Sequence, residues 1–123
     1  MIIVLWILQA VLAVVFVMAG SMKLSQPKEK LASRMGWVAD FSAPAVKVIG
    51  LLEVLAAAGL ILPSLSGVLP WLTPLAAAGL VLVMLGASFT HLRRGEYSSI
   101  ALTAILLLMA AATAYGKFSA LHL

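Results

Sequence analysis

Four apolar runs, each close to the length that crosses a bilayer, divide this chain at about Ile2–Met22, Ala45–Leu62, Trp71–Thr90 and Ser99–Tyr115. A helix needs about 20 apolar residues to span the hydrocarbon layer. Each run must be helical, because a lone strand in lipid leaves its backbone groups unpaired and no run alternates as barrel strands do. Only 10% of the 123 residues are charged and 64% are hydrophobic, whereas a soluble domain carries roughly a quarter charged residues. With a mean hydropathy of +1.18, a chain this short could not hide its apolar surface from water. The expectation is an all-α membrane protein with a single domain over residues 1–123. It is a four-transmembrane-helix antiparallel bundle with a short amphipathic segment in its first cytoplasmic loop.

The first run invites comparison with a secretory signal, and Met18-Ala19-Gly20-Ser21 loosely resembles a cleavage site. The start Met1-Ile2-Ile3-Val4-Leu5-Trp6 lacks the basic residues of such a signal, so a retained helix is expected. Ser42 and Pro44 suit a helix N-cap and first turn. Pro63 is expected to end the second span, since proline lacks the N–H that continues the ladder. Pro63 to Pro70 then reads as a tight uncharged turn, and Ser98 or Ser99 as the cap of the fourth helix.

Orientation follows from lysine and arginine. Lys23, Lys28, Lys30, Arg34, Lys47, Arg93 and Arg94 flank one side of the predicted layer, and only Lys117 the other. The basic loops are therefore expected in the cytoplasm and both termini outside a cell (inner) membrane. Trp6, Trp71 and Tyr115 would form an outer aromatic belt, with Tyr97 and Trp37 at the inner interface. In the first loop, Pro27 to Met35 could form a short surface helix whose Leu31 and Met35 share an apolar face. A solvated basic loop is the alternative. Trp37 and Phe41 would anchor it at the interface.

The absence of cysteine excludes disulfide, thiolate-metal and thiol-nucleophile chemistry. His91 and His122 show no metal-ligand spacing, so no metal site is expected. Nucleic acid is a poor partner, because the basic residues lie at the membrane ends without a reading face.

One acid, Glu53, lies inside a span. It stands eight residues past Ala45, about 12 Å along the helix. A charge there is costly unless paired, hydrated or protonated. Gly50, Ala56, Ala57 and Leu60 share its face, and small residues mark close helix contacts in membranes, so Glu53 should point inward. Gln9, Ala13, Phe16, Gly20 and Lys23 form one stripe of the first span. Lys23 could reach down to Glu53 or up to the headgroups. His91, near Ser88 and Thr90, ends the third span on the same side. Antiparallel packing would gather Lys23, Glu53 and His91 in the cytoplasmic half. That cluster is either a structural staple or a proton-titrating or ligand-binding site. Arg93, Arg94 and Glu96 read as a solvated loop. Ala76, Gly79 and Gly86, and Ala112 with Gly116, argue for tight packing in a bundle or a dimer. The six methionines read as packing filler.

At these residues the chain resembles the DoxX-like family of small four-span membrane proteins. Phe16-Val17-Met18-Ala19-Gly20-Ser21-Met22-Lys23-Leu24 closes the first span, and Lys47-Val48-Ile49-Gly50-Leu51-Leu52-Glu53 and Gly59-Leu60-Ile61-Leu62-Pro63 lie in the second. Leu72-Thr73-Pro74-Leu75-Ala76-Ala77 opens the third, and His91-Leu92-Arg93-Arg94-Gly95-Glu96 closes it. The resemblance implies a fold more than a reaction. Its relatives include a thiosulfate–quinone oxidoreductase subunit, oxidative-stress components and a receptor chaperone. It maps recurrent polar positions onto Lys23, Glu53 and His91, and a basic residue at the end of the fourth span onto Lys117.

Three functions follow as expectations. The first is a non-enzymatic accessory or assembly factor that binds membrane proteins or lipids, with a homo-oligomer possible. The second is a redox-linked subunit holding quinone near Glu53 and His91. The third, a small proton-coupled transporter, is disfavoured because comparable four-helix exporters carry their glutamate in the first span. No catalytic residue or certain cofactor is assigned; quinone and lipid are the ligands considered.

Overall fold

The computed structural model describes residues 2–121, so His122 lies outside the described residues. Helix α1 runs Ile2–Ser25, α2 Lys28–Arg34, α3 Ala43–Ser66, α4 Leu72–Arg94 and α5 Tyr97–Leu121, with a short three-ten helix at Gly36–Asp40 between α2 and α3. Four of these helices are long and apolar enough to cross a membrane. At 24 residues α1 and α3 extend about 36 Å, beyond the roughly 30 Å of hydrocarbon.

The long helices close a ring. Helix α1 packs most extensively on α3, and α4 on α5; α3 also meets α4, and α1 meets α5. The common core takes Leu12, Ala13 and Phe16 from α1, Ala57 and Leu60 from α3, Leu80 and Met84 from α4, and Leu106 and Ala110 from α5. The outer surface is equally apolar: Ile7, Val14, Leu55, Leu82 and Leu108 are exposed. Lipid is as apolar as leucine, so side-chain burial alone does not drive these helices together. Close packing and interhelical hydrogen bonds must hold them.

The polar links explain a departure from the sequence reading. Pro63 does not end the second span; α3 continues through it to Ser66. A proline at this position leaves the carbonyl of Gly59, four residues back, without its helical donor. Thr73 Oγ1 of α4 donates to that oxygen at 2.9 Å. Gln9 Nε2 of α1 donates to the next carbonyl, Leu60, at 2.6 Å and to Ser64 Oγ at 3.0 Å. Neighbouring helices thus satisfy backbone groups near the proline, which lets the helix persist in lipid. The stop comes at Gly67, whose φ of 73° forms a left-handed C-cap with its N–H on Pro63 O. The turn is therefore Gly67 to Trp71, shorter than expected.

Ser42 Oγ accepts from Ala45 N at 3.2 Å, capping α3 with Pro44 in its first turn. Neither Ser98 nor Ser99 holds the expected cap position. Gly95 ends α4 with a φ of 72°, and the carbonyl of Glu96 takes the first bonds of α5 from Ser99 and Ile100. The connection is too short to leave either serine outside the helix.

The amphipathic segment is α2, but its apolar face turns onto protein. Leu31 is 1% exposed and packs with Val38, Val46, Met22 and Met35. The small-residue stripe of α4 meets another helix closely at Ala76 but not at its glycines. A Cβ at Gly79 or Gly86 would meet nothing within 4 Å. The close approaches fall at Gly20 against Gly50, Gly59 against Ala76, and Gly116 against Leu5.

Candidate functional site

Helices α1 and α3 cross where glycine faces glycine. A Cβ on Gly20 would lie 2.6 Å from Gly50 O, and one on Gly50 would lie 2.7 Å from Lys23 Cβ. This approach sets the next residues up the two helices. Side chains of an α-helix lean toward its N-terminus. In an antiparallel pair, Lys23 near the end of α1 leans into the layer, while Glu53 of α3 leans toward the basic end. They meet between the helices: Lys23 Nζ donates to Glu53 Oε1 at 2.6 Å. Their side chains are 7% and 3% exposed. Lys23 therefore reaches down to the acid and not up to the headgroups.

The ion pair lies in the wall of a cavity of about 420 Å³. Most of the lining is hydrocarbon: Val15, Phe16 and Ala19 of α1, Ile49 of α3, Val83, Met84 and Ala87 of α4, and Leu106 of α5. Lys23 and Glu53 supply one polar spot, and Thr90, His91 and Thr103 others. Thr103 is engaged by Ser88 Oγ at 2.8 Å across α4 and α5.

Trp37, Phe41 and Met35 also line the cavity. The two rings meet edge to face with centroids 5.5 Å apart, and Lys23 Nζ sits 5.6 Å from the centre of the Trp37 ring, within cation–π range. Trp37 and Phe41, expected as interfacial anchors, are half-buried and face the cavity. A latch joins their segment to α4 at the basic end. Arg94 Nη1 donates to Asp40 Oδ2 at 2.5 Å, and Arg94 Nε donates to Glu96 Oε2 at 3.3 Å. Gly36 carries no side chain where the Arg94 guanidinium passes. The strap from α2 through Asp40 is thereby held over the helix ends. Arg93 and Arg94 are exposed, as expected of a solvated loop, but Arg94 and Glu96 are also engaged with each other and, through Arg94, with Asp40.

Of the three residues expected to cluster, Lys23 and Glu53 are in direct contact. His91 lines the same cavity but pairs elsewhere, through Nδ1 to Glu96 Oε1 at 2.9 Å. The hydrogen bonds from His91 and Arg94 hold the Glu96 carboxyl below its ordinary value. Lys117 lies far along α5, with Nζ 5.9 Å from the Trp6 ring centre and no share in the cavity. The sequence reading missed the wall residues Trp37, Phe41 and Met35 and the Asp40–Arg94 latch. The alternation of aromatic and charged residues at Trp37, Asp40 and Phe41 was the only signal available.

A second hollow, about 530 Å³, runs between α3 and α4 past Leu55, Gly59, Leu62, Leu75 and Gly79. Its lining offers no side-chain polar group, so it has no means of chemistry.

Four spanning helices in a bundle, with a polar pair buried between two of them, define a multi-pass integral membrane protein. The chain belongs to the DoxX-like family, whose model matches residues 7–113. No curated protein and no solved structure gave a match.

Proposed function

We propose that this protein is a non-enzymatic accessory protein of the cell (inner) membrane that holds an amphiphilic molecule from the bilayer in the cavity beside Lys23 and Glu53. The basic loops face the cytoplasm and both termini lie outside. Bound amphiphile and apolar helix faces together serve partner membrane proteins or a second copy of the chain.

The observation that carries this reading is the cavity's chemistry. Small-molecule sites of roughly 300–1,000 Å³ combine apolar walls with a few placed polar groups, and this cavity of about 420 Å³ has that character. Phe16, Met84 and Leu106 can accommodate a chain, while Lys23, Glu53 and His91 can meet a polar head.

Native mass spectrometry of the detergent-extracted protein tests it. A bound amphiphile is expected on the wild type and lost from Ala87→Trp, which fills the cavity. Protein that is bare in several mild detergents would count against the reading. A bound quinone would instead favour the redox-subunit function. The double variant Lys23→Met/Glu53→Leu, which leaves no charge stranded, separates site from staple: retained thermal stability with lost ligand marks a site, and retained stability with retained ligand marks a staple.

A further inference from the structure

Resting on that reading, we infer that the ligand is an uncharged, hydroxyl-bearing long-chain amphiphile that enters sideways from the hydrocarbon past Gly86.

The head is uncharged because the lysine at the cavity already has an acid. Lys23 is paired with Glu53, and His91 is hydrogen-bonded to Glu96. Arg94, behind the roof, holds Asp40 and Glu96. An anionic head would bring a net charge beside a pair whose side chains are 7% and 3% exposed, where unpaired charge is strongly disfavoured.

The head is a hydroxyl because of what the pair leaves over. An ammonium has three donors and a carboxylate two acceptor oxygens. The Lys23–Glu53 bond uses one donor and one oxygen. A group that both accepts from Lys23 and donates to Glu53 engages the free carboxylate oxygen and one of the two remaining ammonium donors. An ester or ketone oxygen can only accept.

The route follows from the rim. Leu82 and Leu102 line the cavity yet are 70% and 59% exposed on the outer surface of the bundle. Gly86 lies one turn from Leu82, and a Cβ there would meet nothing within 4 Å. The missing side chain leaves a window toward lipid. The water-facing end is covered by Trp37 and Phe41 under the Asp40–Arg94 latch.

The test uses the full chain in phosphatidylcholine vesicles, with Trp6→Phe and Trp71→Phe leaving Trp37 as the only tryptophan. Three brominated probes share one acyl chain: a monoacylglycerol, its methyl-ester counterpart and a lysophosphatidic acid. Saturable quenching is expected at the lowest mole fraction with the monoacylglycerol, the other two being at least about tenfold weaker. Gly86→Phe, and Leu102→Phe across the rim, should slow the onset of quenching with thermal stability retained. Lysophosphatidic acid binding as well as the monoacylglycerol would overturn the uncharged head, and equal binding of the methyl ester would overturn the hydroxyl. Unchanged onset in both rim variants, with faster onset in Asp40→Asn, would put the route through the roof. Quenching that saturates with none of the probes would refute the binding reading itself.

Discussion

Replacing Lys23 with methionine would strand the Glu53 carboxylate beside hydrocarbon. The stranded acid escapes by taking a proton, which costs an ordinary glutamate about 4 kcal/mol near pH 7, at about 1.4 kcal/mol per pH unit. Glu53→Leu strands the ammonium instead, and shedding its proton costs an ordinary lysine about 5 kcal/mol near pH 7. Both ceilings agree with the roughly 3–5 kcal/mol lost when a buried pair loses one member. The double variant Lys23→Met/Glu53→Leu strands nothing, and should match the wild type to within about 1 kcal/mol or exceed it. Reversible unfolding in bicelles at several pH values measures all four proteins. In Lys23→Met the folded state holds a proton that the unfolded state lacks, so its deficit should shrink as pH falls. In Glu53→Leu the unfolded state holds the extra proton, so that deficit should shrink as pH rises. Single variants that each lose under about 1 kcal/mol, as exposed pairs do, would refute the claim that the pair is buried.

Other residues give further tests. Thr73→Val should cost about 1–3 kcal/mol by leaving the Gly59 carbonyl unpaired, and much less in a Pro63→Ala background, where residue 63 regains its N–H; a double-mutant cycle by urea unfolding reads the difference. Gly20→Ala should destabilise by about 1–3 kcal/mol through overlap with Gly50, whereas Gly79→Ala, which meets open space, should be neutral or gain up to about 1 kcal/mol in the same assay. Glu96 is held below its ordinary value. Its contribution to the latch should therefore be complete above the ordinary carboxylate range and fade as pH falls through the lowered value; Trp37 emission against pH reports this, and Glu96→Gln should flatten the acid limb. Single cysteines at Glu29 and Gly67 should be labelled from the cytoplasmic and the outer side respectively, if the basic loops face inward.

The spans were legible because lipid imposes a rule that every residue must obey: backbone groups pair within the segment, so length and apolarity suffice. The inward face of α3 could also be read, since Gly50, Glu53, Ala57 and Leu60 are all buried and their spacing alone puts them on one stripe. What escaped depends on partners distant in sequence. Pro63 looked like a stop because the donor to Gly59 comes from Thr73 on the next helix and the donor to Leu60 from Gln9 in the first. That Trp37 and Phe41 face a cavity was not legible because Asp40, between them, is held by Arg94 at the end of the second span further on. Gly79 and Gly86 looked like a seam because a small residue can line either a contact or a gap, and the spacing is the same in both.

Staple and site need not compete at Glu53. The Gly20–Gly50 crossing holds Lys23 and Glu53 together before any ligand arrives, so the cost of burying two charges is met by the fold. Only one ammonium proton and one carboxylate oxygen are spent on the pair. A ligand that engages the remainder binds to groups already immobilised and loses little further ordering freedom. By mass action such a ligand also stabilises the folded chain, by about 2.7 kcal/mol at a hundred times its Kd. A staple that leaves hydrogen-bonding capacity facing a cavity is a preorganised recognition point. Replacing both members with apolar residues should then preserve the bundle while abolishing retention of the amphiphile, an outcome that a purely structural pair does not produce.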